Sequence, residues 1–183
     1  DLNRVVHHGL ESILAETRRF ADRGGAEART MREAMAIGLQ AVIDWAGRFA
    51  AEAEAAARAE SDPLVRAAHE RVARACRRVP AKPARDFFEA LQAMALVHLA
   101  IAAEGHGMSV SIGLPDRILA PFLGDGFDWE EGVNLAEAFL LKISANSLFG
   151  RGSKTQAITV GGLNHLGEDQ CNAHEADPFF HTL

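Results

Sequence analysis

Cysteine is scarce: Cys76 and Cys171 are the only two in 183 residues, far apart and in no CxxC spacing. A disulfide scaffold needs more thiols at closer spacing, so that class is excluded and a reducing cytoplasm is the expected compartment. Positive charge is short as well. Lys and Arg total 19 against 25 Asp and Glu, a formal charge of −6, which leaves no footprint for nucleic acid. No apolar run approaches the roughly 18–20 uncharged residues of a membrane span, so no membrane role is expected. The polar stretch Asp1 to Glu16 has no signal-peptide core. The chain also lacks an initiating Met and stops at Leu183 after a turn-rich stretch, and so reads as an excerpt. What is present is ordinary. Hydrophobic residues at 48% and charged residues at 24% indicate a folded globular chain.

The first two-thirds is helical by pattern. Val6, Leu10, Ile13, Leu14 and Phe20 recur at helical spacing up to Gly24-Gly25. A second helix is predicted from Ala26 to about Glu60, with Met31, Met35, Leu39, Val42, Ala46 and Phe49 as its buried stripe and an alanine-rich continuation in which that stripe thins. Ser61-Asp62-Pro63 starts a third helix, carrying Leu64, Ala68, Val72 and Ala75 to about Arg78. Pro80 and Pro83 force the following segment out of helix. Asp86-Phe87-Phe88-Glu89 has the form of a capping box and opens an apolar helix to about Glu104, stopped by Gly105-His106-Gly107.

The character then changes. Met108 to Gly113 alternates like a short strand, ended by Pro115, and Asp116 to Leu123 fits one or two helical turns interrupted by Pro121. Asp128 to Glu131 is a second capping box, opening a helix to about Ser147 with Val133, Ala136, Leu140 and Ile143 inward. Gly150 to Lys154 is a loop, Gln156 to Val160 a β-prone run, and Leu163 to Asp177 polar and turn-rich. There is no internal repeat and no low-complexity linker, so one structural unit is the simplest organisation.

Eight histidines raise the possibility of metal binding, but there is no HExxH and no Cys/His pairing, and the adjacent His7 and His8 point in different directions on a helix; no metal ligands are assigned. His98 shares a stripe with Phe87, Leu91, Met94 and Ile101, which makes it a core histidine bonded to backbone or carboxylate, or a pocket group. Cys76 reads as a small core hydrophobe. Gly150 to Lys154 lacks the helix that must follow a phosphate-binding loop, and no GxSxG, Walker or GxGxxG pattern occurs. Residue chemistry alone thus ends at a helical domain of open function.

Several segments in order go further. Val79-Pro80-Ala81-Lys82-Pro83 with Asp86-Phe87-Phe88-Glu89-Ala90-Leu91-Gln92 resembles the "VPA-P-P-TF-EALQ" stretch of the glycyl radical enzymes, the pyruvate formate-lyase-like lyases and dehydratases. Gly107-Met108-Ser109-Val110-Ser111-Ile112-Gly113 is similar to their "GHSISPGR" strand, and Asp116 with Pro121 to the "DQ…P" after it. Gln156-Ala157-Ile158-Thr159-Val160-Gly161-Gly162, with Gly167, Asp169 and Asn172, resembles "Q-NLTIGG…G-DATN", and Val5 to Glu16 resembles an initial "VL-GL-GI--E" helix.

The resemblance implies a mostly α fold with a few short strands, part of an α/β barrel of the glycyl radical enzyme type. Residues 1–183 then form part of one pyruvate formate-lyase-like domain, helical over 1–105 and mixed helix and barrel strand over 106–183. It implies a cytoplasmic enzyme of anaerobic metabolism that breaks C–C or C–heteroatom bonds by radical chemistry, as a lyase, dehydratase or formate acetyltransferase. The partners implied are a small-molecule substrate, a second copy in a homodimer, and the radical-SAM iron–sulfur activase that installs the glycyl radical. Neither a "GCVE"-like cysteine loop nor an "RVSGY"-like glycine loop occurs here, and Cys171 matches a threonine of the family, so no catalytic residue and no bound cofactor are assigned and the fragment alone is expected to be inactive. Ser109 matches a substrate-facing serine and is either a substrate-binding group or a packed strand residue. Met108 stands where the family has histidine, and Leu114 where it has arginine, which disfavours a diol dehydratase dependent on that histidine. His98, Gln156, Asp169 and Asn172, with Met108, are assigned to pocket or loop support. The alternative is a non-catalytic helical scaffold or interaction protein, and a third reading is a histidine metal protein.

Overall fold

The computed structural model describes residues 1–104, 110–145 and 158–161. Two compact units divide the chain, the first Asn3–Ala84 and the second from Arg85 onward. Six α-helices occur among the described residues, and no extended strand. The mostly α expectation therefore holds for the described residues.

In the first unit, α1 (Leu2–Arg19) is not the continuous helix its apolar spacing suggests. Gly9 breaks it at φ 75°, ψ 159°. The break lets another segment into the helical hydrogen-bond ladder. The Leu10 and Glu11 N–H groups donate to the carbonyls of Pro80 and Ala81 at 2.8 and 2.9 Å, and the Ala84 N–H donates to the Val6 carbonyl at 2.9 Å. A Cβ at Gly9 would press on the Ala81 carbonyl oxygen and lie 2.7 Å from the Lys82 backbone, so this approach needs glycine for space as well as for its dihedrals. The prolines that looked like a mere helix breaker form the strap that α1 closes on, through the cis peptide Val79–Pro80. α1 also ends earlier than Gly24-Gly25, at Arg19. Phe20 is only half-buried, and the guanidinium of Arg23 sits 4.4 Å from its ring.

α2 (Ala26–Ala59) and α3 (Pro63–Cys76) pack as a helical hairpin. Asp62 caps α3 by accepting from the Leu64 and Val65 N–H groups, with Pro63 in the first turn. The expected buried stripe of α2 is displaced. Met31 and Met35 are exposed, while Ala46, Ala50, Ala53 and Ala57 are buried. The seam lies in the alanine-rich half, because short α3 reaches only that part and methyl side chains let two helices close tightly. On α3, Leu64 and Ala68 face solvent, against expectation, whereas Ala75 and Cys76 are buried as expected, with Ala73 beside them.

The second unit is built around α4 (Phe87–Glu104), which packs against α6 (Trp129–Ala145). Asp86 caps α4 by accepting from the Glu89 N–H at 2.8 Å. The Glu89 carboxylate reaches back as far as the N–H of Arg85, at 2.9 Å, and also takes the Arg85 guanidinium. Of the expected α4 stripe, Phe87, Leu91, Met94 and His98 are buried and Ile101 is exposed. Asp128 caps α6 by accepting from the Glu131 N–H at 3.0 Å. Ala136, Phe139 and Ile143 are buried on α6, whereas Val133 and Leu140 are only half-buried. Between these helices lie α5 (Pro115–Leu119) and a 3₁₀ turn at Ala120–Phe122, the two turns expected around Pro121. By length and mean hydropathy α4 could cross a membrane, although Glu89 and Glu104 keep its uncharged run short of the span the sequence reading asked for. Half of it is buried within the protein, and it carries the buried, ion-paired Glu89, as a core helix does.

Candidate functional site

The second unit joins three pieces of chain around α5. Gly113 and Ile158 form an isolated parallel bridge, and the Thr159 N–H donates to the Gly113 carbonyl at 3.2 Å. The two runs that read as β-prone therefore meet, at one bridge among their described residues. Gly113 takes φ 80°, which turns the chain there before Pro115 begins α5 and strains any side-chain-bearing residue. The companion run is fixed by a carboxylate. Asp116, 1% exposed, accepts the Gly161 N–H on Oδ2 at 2.9 Å, and the neighbouring Arg117 guanidinium donates to the Gly161 carbonyl at 3.4 Å. A buried carboxylate receiving a backbone N–H is a strong, directional tie.

From the other side, His98 of α4 is 1% exposed and its imidazole hydrogen-bonds the backbone at Val110, three residues before the bridge. Burial pushes its pKa below the ordinary histidine value, and the Val110 bond opposes that only in part, so the ring is neutral at pH 7. Residues 110–113 are thus held from α4 at one end and joined to 158–161 at the other. The arrangement braces two short extended segments, and among the described residues no group of three or more His, Cys, Asp or Glu side chains could hold a metal ion.

His98 is the one support residue named from the sequence that lies in this frame. Met108, Ser109, Gln156, Asp169 and Asn172 lie outside the described residues, as do Cys171 and the Gly150 to Lys154 loop. Asp116 was visible only as part of a motif, and Arg117 not at all. The available signal was a charged pair, Asp116-Arg117, directly after a strand-like run and a proline. Cys76 sits apart in the first unit, where burial pushes its thiol up to about 11.

A family model described as pyruvate formate lyase-like matches residues 1–176. The isethionate sulfite-lyase of Oleidesulfovibrio alaskensis is 32% identical over 197 residues, a match covering 94% of this chain and 24% of that protein. A glycyl radical enzyme from Archaeoglobus fulgidus superposes with a TM-score of 0.76 at 29% identity, over 92% of this chain and 24% of that one. The B12-independent glycerol dehydratase from Clostridium butyricum superposes more closely, at 0.84, but its 22% identity over 92% of this chain and 24% of that one shows the fold alone. The chain thus spans about a quarter of the length of the curated relatives it matches.

Proposed function

Because the chain belongs to the pyruvate formate lyase-like family, the glycyl radical enzymes, we propose that it is the helical part of a radical lyase or dehydratase acting on a small molecule. The observation that carries this reading is the match of one family model over residues 1–176. Its relatives include a sulfite-lyase and a sulfopropanediol dehydratase, so C–S and C–O cleavage are the favoured reactions; formate acetyltransferase chemistry is the more distant member of the same class.

In this reading residues 1–183 belong to one domain, and the two bridged runs, 108–113 and 156–160, are barrel strands. The parallel Gly113–Ile158 bridge supports that, since parallel pairing is the pairing of an α/β barrel. The cysteine and glycine that carry the radical lie in other parts of the enzyme, and this chain alone is inactive. A radical-SAM iron–sulfur activase installs the glycyl radical, which suits an anaerobic cytoplasm, and the enzyme works as a homodimer. The contribution of this chain is to hold a pocket wall: Ser109 offers a hydroxyl to the substrate, with Met108, His98, Gln156, Asp169 and Asn172 as support. Rigid placement matters because a radical must meet its substrate already oriented and away from water.

The test is anaerobic activation of the full-length protein with its radical-SAM partner, using isethionate and glycerol as substrate probes. We expect a glycyl radical by electron paramagnetic resonance and cleavage of one probe. Ser109→Ala should lower turnover about tenfold, the worth of one substrate hydrogen bond, with radical yield and fold intact. A full-length sequence without the two radical loops would overturn the reading, and unchanged kinetics in the variant would reduce Ser109 to packing.

A further inference from the structure

The hairpin of α2 and α3 carries a feature that the family assignment leaves unused. A groove of about 400 Å³ runs between the two helices, lined by Arg58, Arg66, Arg74, Arg77, Glu54 and Glu70. Its floor includes Ala57 and Ala73, both buried, whose methyl side chains leave the space open. The two acids are already engaged. Glu54 accepts from the Arg77 guanidinium through both oxygens, at 2.8 and 3.0 Å, and this bond holds its carboxyl below the usual range. Glu70 pairs with Arg74 at 3.8 Å. The nearby Glu60 carboxylate is taken by the Asp62 N–H at 2.9 Å.

Arg58 on α2 and Arg66 on α3 are held less directly, acting only through charge, Arg58 on Glu54 and Arg66 on Glu60. Among the described residues neither makes a hydrogen bond or an ion pair, and they face one groove from opposite helices. The lining groups thus sum to two positive charges, four guanidinium against two carboxylate, in a chain whose formal charge is −6. A cluster of that sign in an acidic protein singles out an anion. Planar guanidinium forks match the paired oxygens of phosphate, and two from opposite walls suit a ligand with more than one negative charge.

We infer that the α2–α3 groove is a binding site for a small phosphate-bearing polyanion, clamped by Arg58 and Arg66. The site lies wholly within the first unit and does not depend on which substrate the enzyme cleaves.

Titration calorimetry of the full-length protein with inorganic pyrophosphate tests this, with acetate as the singly charged control. We expect saturable binding of one pyrophosphate per chain, weakening as salt is raised because the groove is open to solvent, and no saturation by acetate. The Arg58→Ala/Arg66→Ala pair should weaken binding at least tenfold while leaving the thermal midpoint unchanged. Arg58→Lys/Arg66→Lys should fall between, keeping charge but losing the forks. No saturable pyrophosphate binding at low salt would overturn the proposal; that includes the case in which an acidic protein segment occupies the groove. Equal affinity in the alanine pair would overturn it as well.

Discussion

The two units are both helical, yet their separate interiors are built by different means. In the first, the seam between α2 and α3 buries small groups, Ala46, Ala50, Ala53 and Ala57 against Ala73, Ala75 and Cys76, while α1 buries Val5, Val6, Leu10 and Leu14 and takes a backbone strap into its kink. The second buries large ones, with Phe87, Leu91, Met94, Leu119, Phe139 and Ile143 packed about α4 and α6. Close backbone approach dominates at that seam and at the strap, and apolar volume in the second unit. Adding atoms should therefore hurt the seam and the strap, and removing atoms should hurt the second unit.

The largest effect is expected at Gly9. An alanine there must adopt φ 75° while its Cβ meets the backbone of Ala81 and Lys82, in a strap whose Pro80 and Ala81 carbonyls accept from Leu10 and Glu11 and would lose those bonds if it moved away. We expect Gly9→Ala to cost more than about 4 kcal/mol, in the range reserved for backbone conflicts with no escape. Urea unfolding of the full-length protein, followed by hydrogen exchange of the α1 amides, measures it. A midpoint within error of the wild type would mean that the strap is not seated as described.

That position also shows where sequence reasoning stops. The helix starts were readable, because Asp62, Asp86 and Asp128 announce themselves by local chemistry that needs no partner. The apolar α4 was readable for the same reason. Gly9 was hidden: the spacing of Val6, Leu10 and Ile13 on either side suits an unbroken helix, and the cause of the break lies some seventy residues away, at Pro80 and Ala81. The α2 stripe failed likewise, since Met31 and Met35 look more buriable than Ala50 until the short length of α3 decides which half of α2 has a partner. Asp116 belongs to the same class, its meaning set by Gly161. Local signals survive translation into structure; those that depend on what comes back from afar do not.

A matched pair of substitutions separates the two modes of packing. Met94 is fully buried on α4, and Met94→Ala should cost about 2–5 kcal/mol through lost burial and the cavity left behind. Ala50 is fully buried on α2, and Ala50→Leu should cost about 1–3 kcal/mol through overpacking of the seam. Ala50→Gly, which removes volume, should cost only about 1 kcal/mol, the intrinsic helix penalty. Chemical denaturation of each variant gives the ranking. If Ala50→Leu were neutral, the seam would have slack, and the contrast between the units would fail.

The smallest effect is one of pH and belongs to the second unit alone. His98 is buried and neutral, its pKa lowered first by burial, with the Val110 backbone bond acting the other way. The unfolded chain restores the ordinary value of about 6.5. Above that pH both states are neutral and the histidine adds no pH dependence. As pH falls below it, the unfolded state takes up a proton that the folded state resists, so stability is lost progressively down to the lowered folded pKa. Carboxylates also titrate in acid, so the diagnostic quantity is a difference. Melting wild type and His98→Gln in parallel between pH 7.5 and 5 should show the wild type losing more than the variant, with the gap opening only below about pH 6.5. Parallel curves would mean that His98 is charged or hydrated in the folded protein, and that the brace on residues 110–113 is not the dry imidazole-to-backbone bond described above.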